Sequence, residues 1–219
     1  LKTTAVKNGD TYIINGKKIH ISLAAQADIF TVVAGVSVDG KNLNTAFLVE
    51  KANPGLGMGQ ENSSPEGYLI PGEGSIELEK CVVGADMMLG EVGKAGKVSR
   101  GVLEIGRFGL ASIYVGNSQT ALNRCVQYAH MRNQFGKPLA SNQLIQKKLV
   151  DMQTEISLAL QANLRVGRLR DEERCTPEMV SLIKRNNTGK ALDIARVSRD
   201  MLGANGVSDE YHVIRHVMN

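Results

Sequence analysis

Apolar residues recur with two different periods along the chain, and the change falls near Val92. Before it, short runs rich in β-branched and aromatic residues are punctuated by turn-forming pairs. Ala5-Val6 and Tyr12-Ile13-Ile14 flank Asn8-Gly9-Asp10, which predicts a hairpin, and Asn15-Gly16 predicts a second turn. Asp28 to Ala34 reads as a strand, followed by a turn at Asp39-Gly40 and a further strand over Thr45 to Val49. Ser75 to Glu79 alternates as a half-buried strand does. Short strands at this spacing predict a small sandwich or barrel. Asn62 to Gly74, rich in Ser, Pro, Gly and Glu, predicts a loop between strands.

From about Lys94 the period becomes helical. One helix is predicted to run to about Met131, where Arg132 to Pro138 interrupts it, since Gly136 and Pro138 both punctuate helices. Ser141 is the expected N-cap of the next helix, in which Ile145, Leu149, Met152, Ile156 and Leu160 share one face. Asp171 to Thr176 is the connection. Thr176-Pro177-Glu178 then supplies a cap, a proline at the first helical position and an acid in the first turn. Ile194, Val197 and Met201 carry that helix to Gly203, and another starts near Ser208. Long helices with short connections pack as an antiparallel bundle. With β first and α second, the expected class is α+β, a β domain over 1–92 and a helical bundle over 93–219.

Composition adds exclusions. The 219 residues, 42% hydrophobic and 22% charged, suit a globular protein and exclude collagen, disorder and coiled-coil rods. Cys81, Cys125 and Cys175 are too few and too scattered for a disulfide scaffold or a zinc site. No apolar run approaches about 18 residues and no signal pattern opens the chain, so a soluble protein in a reducing compartment is expected. Charge is uneven. Residues 1–92 hold 7 Lys+Arg against 11 Asp+Glu, and residues 93–219 hold 19 against 11. A basic half points to an anionic partner such as nucleic acid, acidic lipid or a phosphorylated cofactor, or simply to solvated helix faces.

Few segments carry recognisable chemistry. Phosphate-cradling glycine loops and the G-x-S-x-G elbow are absent from the sequence. His212 and His216 have ligand spacing without an HExxH pattern, so no metal site is expected. The connection Met131 to Leu139 places an arginine at a helix end and an aromatic in the turn. Arg132 can answer the carbonyl end of its helix and Phe135 can plug the core, or the guanidinium can hold a phosphate through paired hydrogen bonds. Asp200-Met201-Leu202-Gly203-Ala204-Asn205-Gly206 is either a helix C-cap or a Gly-rich turn that lets a planar or anionic ligand come close.

In this order, Arg132-x-Gln134-Phe135-Gly136-x-Pro138-Leu139, Asn142-Gln143 and Met201-Leu202-Gly203-Ala204-Asn205-Gly206 resemble the acyl-CoA dehydrogenase family. Asn142 to Leu149, Pro177 to Asn187 and Arg199 to Asn219, ending in Arg215-His216-x-x-Asn219, look most like its glutaryl-CoA branch. Asn15-Gly16-Lys17-Lys18 resembles the strand entering that family's middle β domain. The resemblance covers nearly the whole chain and implies FAD held between a β domain and a helical bundle that builds a homodimer or homotetramer. It places Arg132 on the FAD pyrophosphate and Gln143 on the same cofactor. Asp200, Met201, Leu202, Gly203 and Ala204 would approach from a symmetry-related chain. It also implies a flavin contact at Ile21 and Ser22, and Arg107 on the CoA substrate side. FAD and CoA, rather than nucleic acid, then answer the basic half. Electron-transfer flavoprotein or a similar acceptor is the implied electron partner, in the cytoplasm of a bacterium or the mitochondrial matrix of a eukaryote.

Departures from the family pattern are specific. His20-Ile21-Ser22 stands where the family has Trp-Ile-Thr or Trp-Ile-Ser, Asn62 to Gly67 replaces its Arg-Ala-Ser segment, and Ala204 replaces the second Gly of a pair. The implied chemistry is α,β-dehydrogenation of an acyl-CoA thioester, with a Glu removing the α-proton as the β-hydride passes to flavin N5. That carboxylate needs a raised pKa and a polarised carbonyl opposite it. In the glutaryl branch the base lies in a Tyr-Glu-Gly stretch beyond the Arg-His-x-x-Asn motif. The expectation is therefore a partial chain without that base and without the N-terminal helical domain. Relatives with the base on the first long helix carry it directly before an Arg like Arg107, where this chain has Gly106, and Glu104 is the nearest acid. No catalytic residue is assigned. The alternative is a non-catalytic flavin-binding or scaffolding subunit of the same fold.

Overall fold

The structure, a computed structural model, describes residues 1–59 and 73–218. It divides into two compact units, Leu1–Val102 and Leu103–Asn219. The expected loop over Asn62 to Gly74, apart from its last two residues, lies outside the described residues, as do the Asn62 to Gly67 substitution and Asn219.

The first unit is a seven-stranded sheet built from β1 (Thr4–Asn8), β2 (Thr11–Ile21), β3 (Ile29–Val38), β4 (Lys41–Glu50), β5 (Leu56–Met58), β6 (Gly74–Gly84) and β7 (Met88–Leu89). The spatial order is β5-β6-β2-β1-β3-β4-β7, antiparallel except where β1 runs parallel to β3. Two-residue loops join β1 to β2 at Gly9-Asp10 and β3 to β4 at Asp39-Gly40, whose φ values of 49° and 74° suit the primed turn that matches strand twist. The sheet wraps one core in which Phe47, Ile14, Ile76, Val32 and Val49 are fully buried and the rings of Tyr12 and Phe47 lie 5.0 Å apart. Each such side chain contributes about 1.5–3 kcal/mol by leaving water.

Asn15-Gly16 is not a turn. Both residues lie inside β2, at a register shift against β6 between Ile14↔Cys81 and Gly16↔Leu78. The Asn15 side-chain oxygen accepts from the Lys80 backbone N–H at 2.8 Å, and Lys80 has φ 48°. Gly16, at φ 146°, passes so close to Thr3 that a Cβ would stand 2.8 Å from its Cα. A bulge and a hairpin turn ask for the same permissive backbone, so the dipeptide alone does not separate them.

The second unit holds most of α1 (Ala95–Met131), a two-strand hairpin of β8 (Asn133–Gln134) and β9 (Lys137–Pro138), α2 (Gln143–Asp171), α3 (Pro177–Met201) and α4 (Val213–Met218). Contacts run in opposite chain directions between α2 and α3, from Lys148–Asp200 through Met152–Ser198 to Glu155–Lys190. They also run oppositely between α1 and α2, where Asn163 donates to Ser112 at 2.7 Å and Arg170 covers the Phe108 ring at 5.4 Å. Between α1 and α3 the direction is shared: Asn187 donates to the Ala111 carbonyl at 3.3 Å and Cys125 approaches the Ser198 carbonyl at 3.9 Å. The core joins Leu122 and Cys125 to Met152, Ile156, Ile194 and Met201.

Two helix expectations are corrected. The N-cap of α2 is Asn142, not Ser141. It makes no side-chain cap bond, and its backbone carbonyl accepts from Ile145 and Gln146. Leu160 is 53% exposed and Ala159 is buried in its place. The buried positions Met152, Ile156, Ala159, Val166 and Leu169 drift round the helix, because a straight α-helix does not repeat its face every seven residues. Thr176 and Pro177 do open α3, although the Thr176 side chain makes no cap bond.

Candidate functional site

The break after α1 and the turn after α3 meet in one cavity. Arg132 follows the last residue of α1, its N–H bonded to the Tyr128 carbonyl and its own carbonyl accepting from Leu139 at 2.9 Å. Between these bonds the chain makes a hairpin whose turn residues, Phe135 and Gly136, have φ of 54° and 77°. Phe135 is 97% exposed, so it does not plug the core. A φ of that sign is uncommon for a bulky side chain.

A cavity of about 570 Å³ is lined by Tyr128 from α1, Arg132, Gln134 and Leu139 around the hairpin, Ile145 and Lys148 from α2, and Asp200 to Asn205 at the end of α3. That size falls in the range of about 300–1,000 Å³ usual for small-molecule sites. Met201 and Leu202 are buried in the bundle core, while Gly203 and Ala204 are exposed at the rim. Two side-chain ties hold the turn. Lys148 Nζ donates to Asp200 Oδ2 at 2.5 Å, and Asn205 Nδ2 donates to the Tyr128 hydroxyl at 3.1 Å, with Tyr128 edge-on to Tyr211 at 5.9 Å. Gly206 lies against the Arg199 carbonyl, where a Cβ would collide with backbone, so glycine lets the chain fold back on the helix end.

Electrostatics single out the pair. The Lys148 ammonium beside Asp200 holds its carboxyl below the usual carboxylate range, with a smaller effect from Arg199. Arg132 has no ion pair among the described residues, which leaves its guanidinium available to an anionic ligand.

The cavity brings together Arg132 and Asp200, Met201, Leu202, Gly203 and Ala204 within one chain, so a ligand can meet both segments on a single protomer. Gln143, the first residue of α2, is exposed and does not line it. Arg107 is exposed on α1 and lines no cavity among those described, and Glu104 on the same helix is half-buried. Ile21 ends β2 and Ser22 is exposed in the following turn. Just before them His20 has φ 56°, at a register shift, with Nδ1 3.2 Å from Glu73 Oε2. Tyr128, Ile145, Lys148 and Asn205 were missed by sequence reasoning. Ile145, Lys148 and Asn205 lay inside segments already singled out and Tyr128 did not, and nothing local marks which side chains of a helix reach a cavity.

Among the described residues no helix is long and apolar enough to cross a membrane, and no three His, Cys, Asp or Glu side chains gather as a metal ion would need.

Comparison with known proteins agrees with the two-unit order. Residues 1–81 match the acyl-CoA dehydrogenase middle domain, and residues 95–219 match the acyl-CoA dehydrogenase C-terminal domain. A probable acyl-CoA dehydrogenase of Bacillus subtilis is 36% identical over 219 residues, covering 98% of this chain and 57% of the relative. The butyryl-CoA dehydrogenase structure from Megasphaera elsdenii superposes with a TM-score of 0.90 at 32% identity, over 99% of this chain and 57% of that one. A Mycobacterium smegmatis glutaryl-CoA dehydrogenase solved in complex with FADH2 gives 0.92 at 30%, over 100% and 55%. The chain thus spans little more than half the length of these relatives. A sheet unit and a helical unit in this order, each matching its own domain of one family, make the chain a member of the acyl-CoA dehydrogenase family.

Proposed function

We propose that this chain is part of an FAD-dependent enzyme that introduces an α,β double bond into an acyl-CoA thioester, with residues 1–92 as its middle β domain and 93–219 as its helical bundle. The observation that carries the reading is the cavity lined both by Arg132, whose guanidinium has no ion pair among the described residues, and by the Asp200–Ala204 turn. Its donor set fits a dinucleotide: a fork of N–H donors for a diphosphate, with Tyr128, Leu139 and Ile145 as an apolar wall. FAD, when bound, supplies the hydride acceptor. In the bundle, Arg132 would hold the diphosphate and the Gly203-Ala204 backbone would let it approach closely; in the β domain, Ser22 would offer a hydroxyl and Ile21 an apolar contact to a flavin, an assignment that rests on the family resemblance. Gln143 is assigned to the same cofactor and Arg107 to the CoA side of the substrate.

A glutaryl-CoA-like substrate is supported by Asn142 to Leu149 and Arg199 to Asn219, rather than by overall identity, which is 32% to the butyryl-CoA enzyme and 30% to the glutaryl-CoA one. A homodimer or homotetramer through the bundle is supported by the apolar groove between α1 and α2 lined by Leu122, Val126, Leu149, Val150 and Leu158. Electron-transfer flavoprotein or a similar carrier is the proposed acceptor, in bacterial cytoplasm or mitochondrial matrix.

The test uses the full-length protein. It should purify with a flavin spectrum and reduce an artificial acceptor faster with glutaryl-CoA than with butyryl-CoA. Equal or better butyryl-CoA turnover refutes the glutaryl assignment, and a protein that retains no FAD refutes the flavoenzyme itself. Flavin without any acyl-CoA turnover selects the second reading, a non-catalytic flavin-binding or scaffolding subunit, which His20 in the family's Trp position favours.

A further inference from the structure

The cavity that takes an anionic ligand in the reading above also carries a carboxylate on its wall. Asp200 and Arg132 line the same space, and an unpaired carboxylate there repels a diphosphate bound in it. Lys148 answers it from α2, 52 residues away in sequence, at 2.5 Å. The other acids on that side of α2 have their own partners, Asp151 with Lys147 at 2.5 Å and Glu155 with Lys190 at 3.0 Å. Lys148 is therefore committed to Asp200, and both side chains remain partly open to the cavity.

We propose that Lys148 is a charge-balancing positioning residue for the cofactor: it acts on the bound anion through Asp200, cancelling that carboxylate and holding it on α2, so that Arg132 is the cavity's uncompensated charge. The inference rests on the FAD reading. Among the side chains that line the cavity, Arg132 and Lys148 against Asp200 leave one net positive charge, while Arg199 acts on Asp200 more weakly from outside the lining and is the same in every variant. Losing Lys148 leaves none, losing Asp200 leaves two, and losing both restores one. The harm of removing Lys148 then lies in the carboxylate it exposes, and removing that carboxylate as well relieves it. A lysine that touched the phosphate itself would not be fully relieved by the second substitution, and one that only supported the fold would show its loss and its relief in thermal unfolding as well as in binding.

The experiment titrates FAD into the deflavinated full-length protein and follows flavin fluorescence for wild type, K148M, K148R, D200N and K148M/D200N, with thermal unfolding of each variant in parallel. K148M is expected to bind about tenfold more weakly, K148R like wild type, D200N as tightly or more tightly, and the double variant to return to within about threefold of wild type. A K148M affinity within twofold of wild type overturns the proposal, as does a double variant as weak as K148M. If K148M does not fold, D200N still decides, since weaker binding there contradicts the charge balance. Wild type with no affinity for FAD fails the cofactor reading itself and takes this inference with it. Wild type that binds, with K148M equal to it, fails the inference alone.

Discussion

In the sheet unit, Val6 and Val82 face outward, each beside buried neighbours: Ala5 next to Val6, Cys81 and Val83 either side of Val82. In the bundle, Val150 at 63% and Leu158 at 62% exposure instead join Leu122, Val126 and Leu149 in one groove of about 500 Å³. The sheet's exposed apolar residues at these positions follow a two-residue period and line up across three strands, with Val6 and Val82 both registered against Ile13. Those of the bundle gather instead along a groove between helices, a pattern that marks an interaction surface. The difference is one of shape: each unit closes a core of its own, but the sheet's outward apolar residues stand in a row across strands while those of the bundle line a groove.

The hardest way to break this comparison is to open one core. Phe47→Ala should cost about 3–5 kcal/mol in the sheet and expose Cys81 to a thiol reagent while Cys125 stays protected. Burial raises both thiols above their ordinary value, so both are slow to react in the native protein, whereas Cys175 is only half-buried and should label first. Simultaneous labelling of Cys81 and Cys125 in the variant would mean the units unfold together. Asn187→Ala is next, at about 1–3 kcal/mol in the bundle, because it leaves the buried Ala111 carbonyl without that donor. A melt unchanged from wild type would show that water replaces the amide.

Leu158→Lys sharpens the contrast from the other side. On a monomer it should change stability by no more than about 0.5 kcal/mol, yet it should shift sedimentation of the full-length protein towards smaller species. Unchanged sedimentation would return the groove to ordinary surface. The smallest effect concerns His216, whose imidazole is held below its ordinary value by burial first, then by His212 and Arg215. The unfolded chain binds that proton more readily, so this residue's contribution falls as pH drops below about 6.5, until the folded form is protonated too. His216→Asn should flatten the pH dependence of the melt over that window, and an unaltered slope would assign it to other groups.

Much of this architecture was legible along the chain. The hairpins at Gly9-Asp10 and Asp39-Gly40, the break after Met131 and the Pro177 start of α3 follow from local φ requirements and from apolar spacing within a few residues. Asn15-Gly16 misled because a bulge uses the same backbone as a turn, and Leu160 misled because a helix's buried stripe drifts. At the site, the segments around Arg132 and Asp200 were legible as motifs. Phe135 was legible as a turn residue but not as an exposed one, since exposure depends on what packs beside the hairpin tip.

By itself the sequence determined the order of a β part and an α part, the chemistry available at Arg132 and Asp200, and the family resemblance, all properties of neighbours in the chain. Only the tertiary structure decided that the turn after α3 shares a cavity with Arg132, that Lys148 rather than Lys147 faces Asp200, and which helix faces stay exposed. Those facts depend on how helices pack, and packing joins residues too far apart in sequence for any local period to pair them.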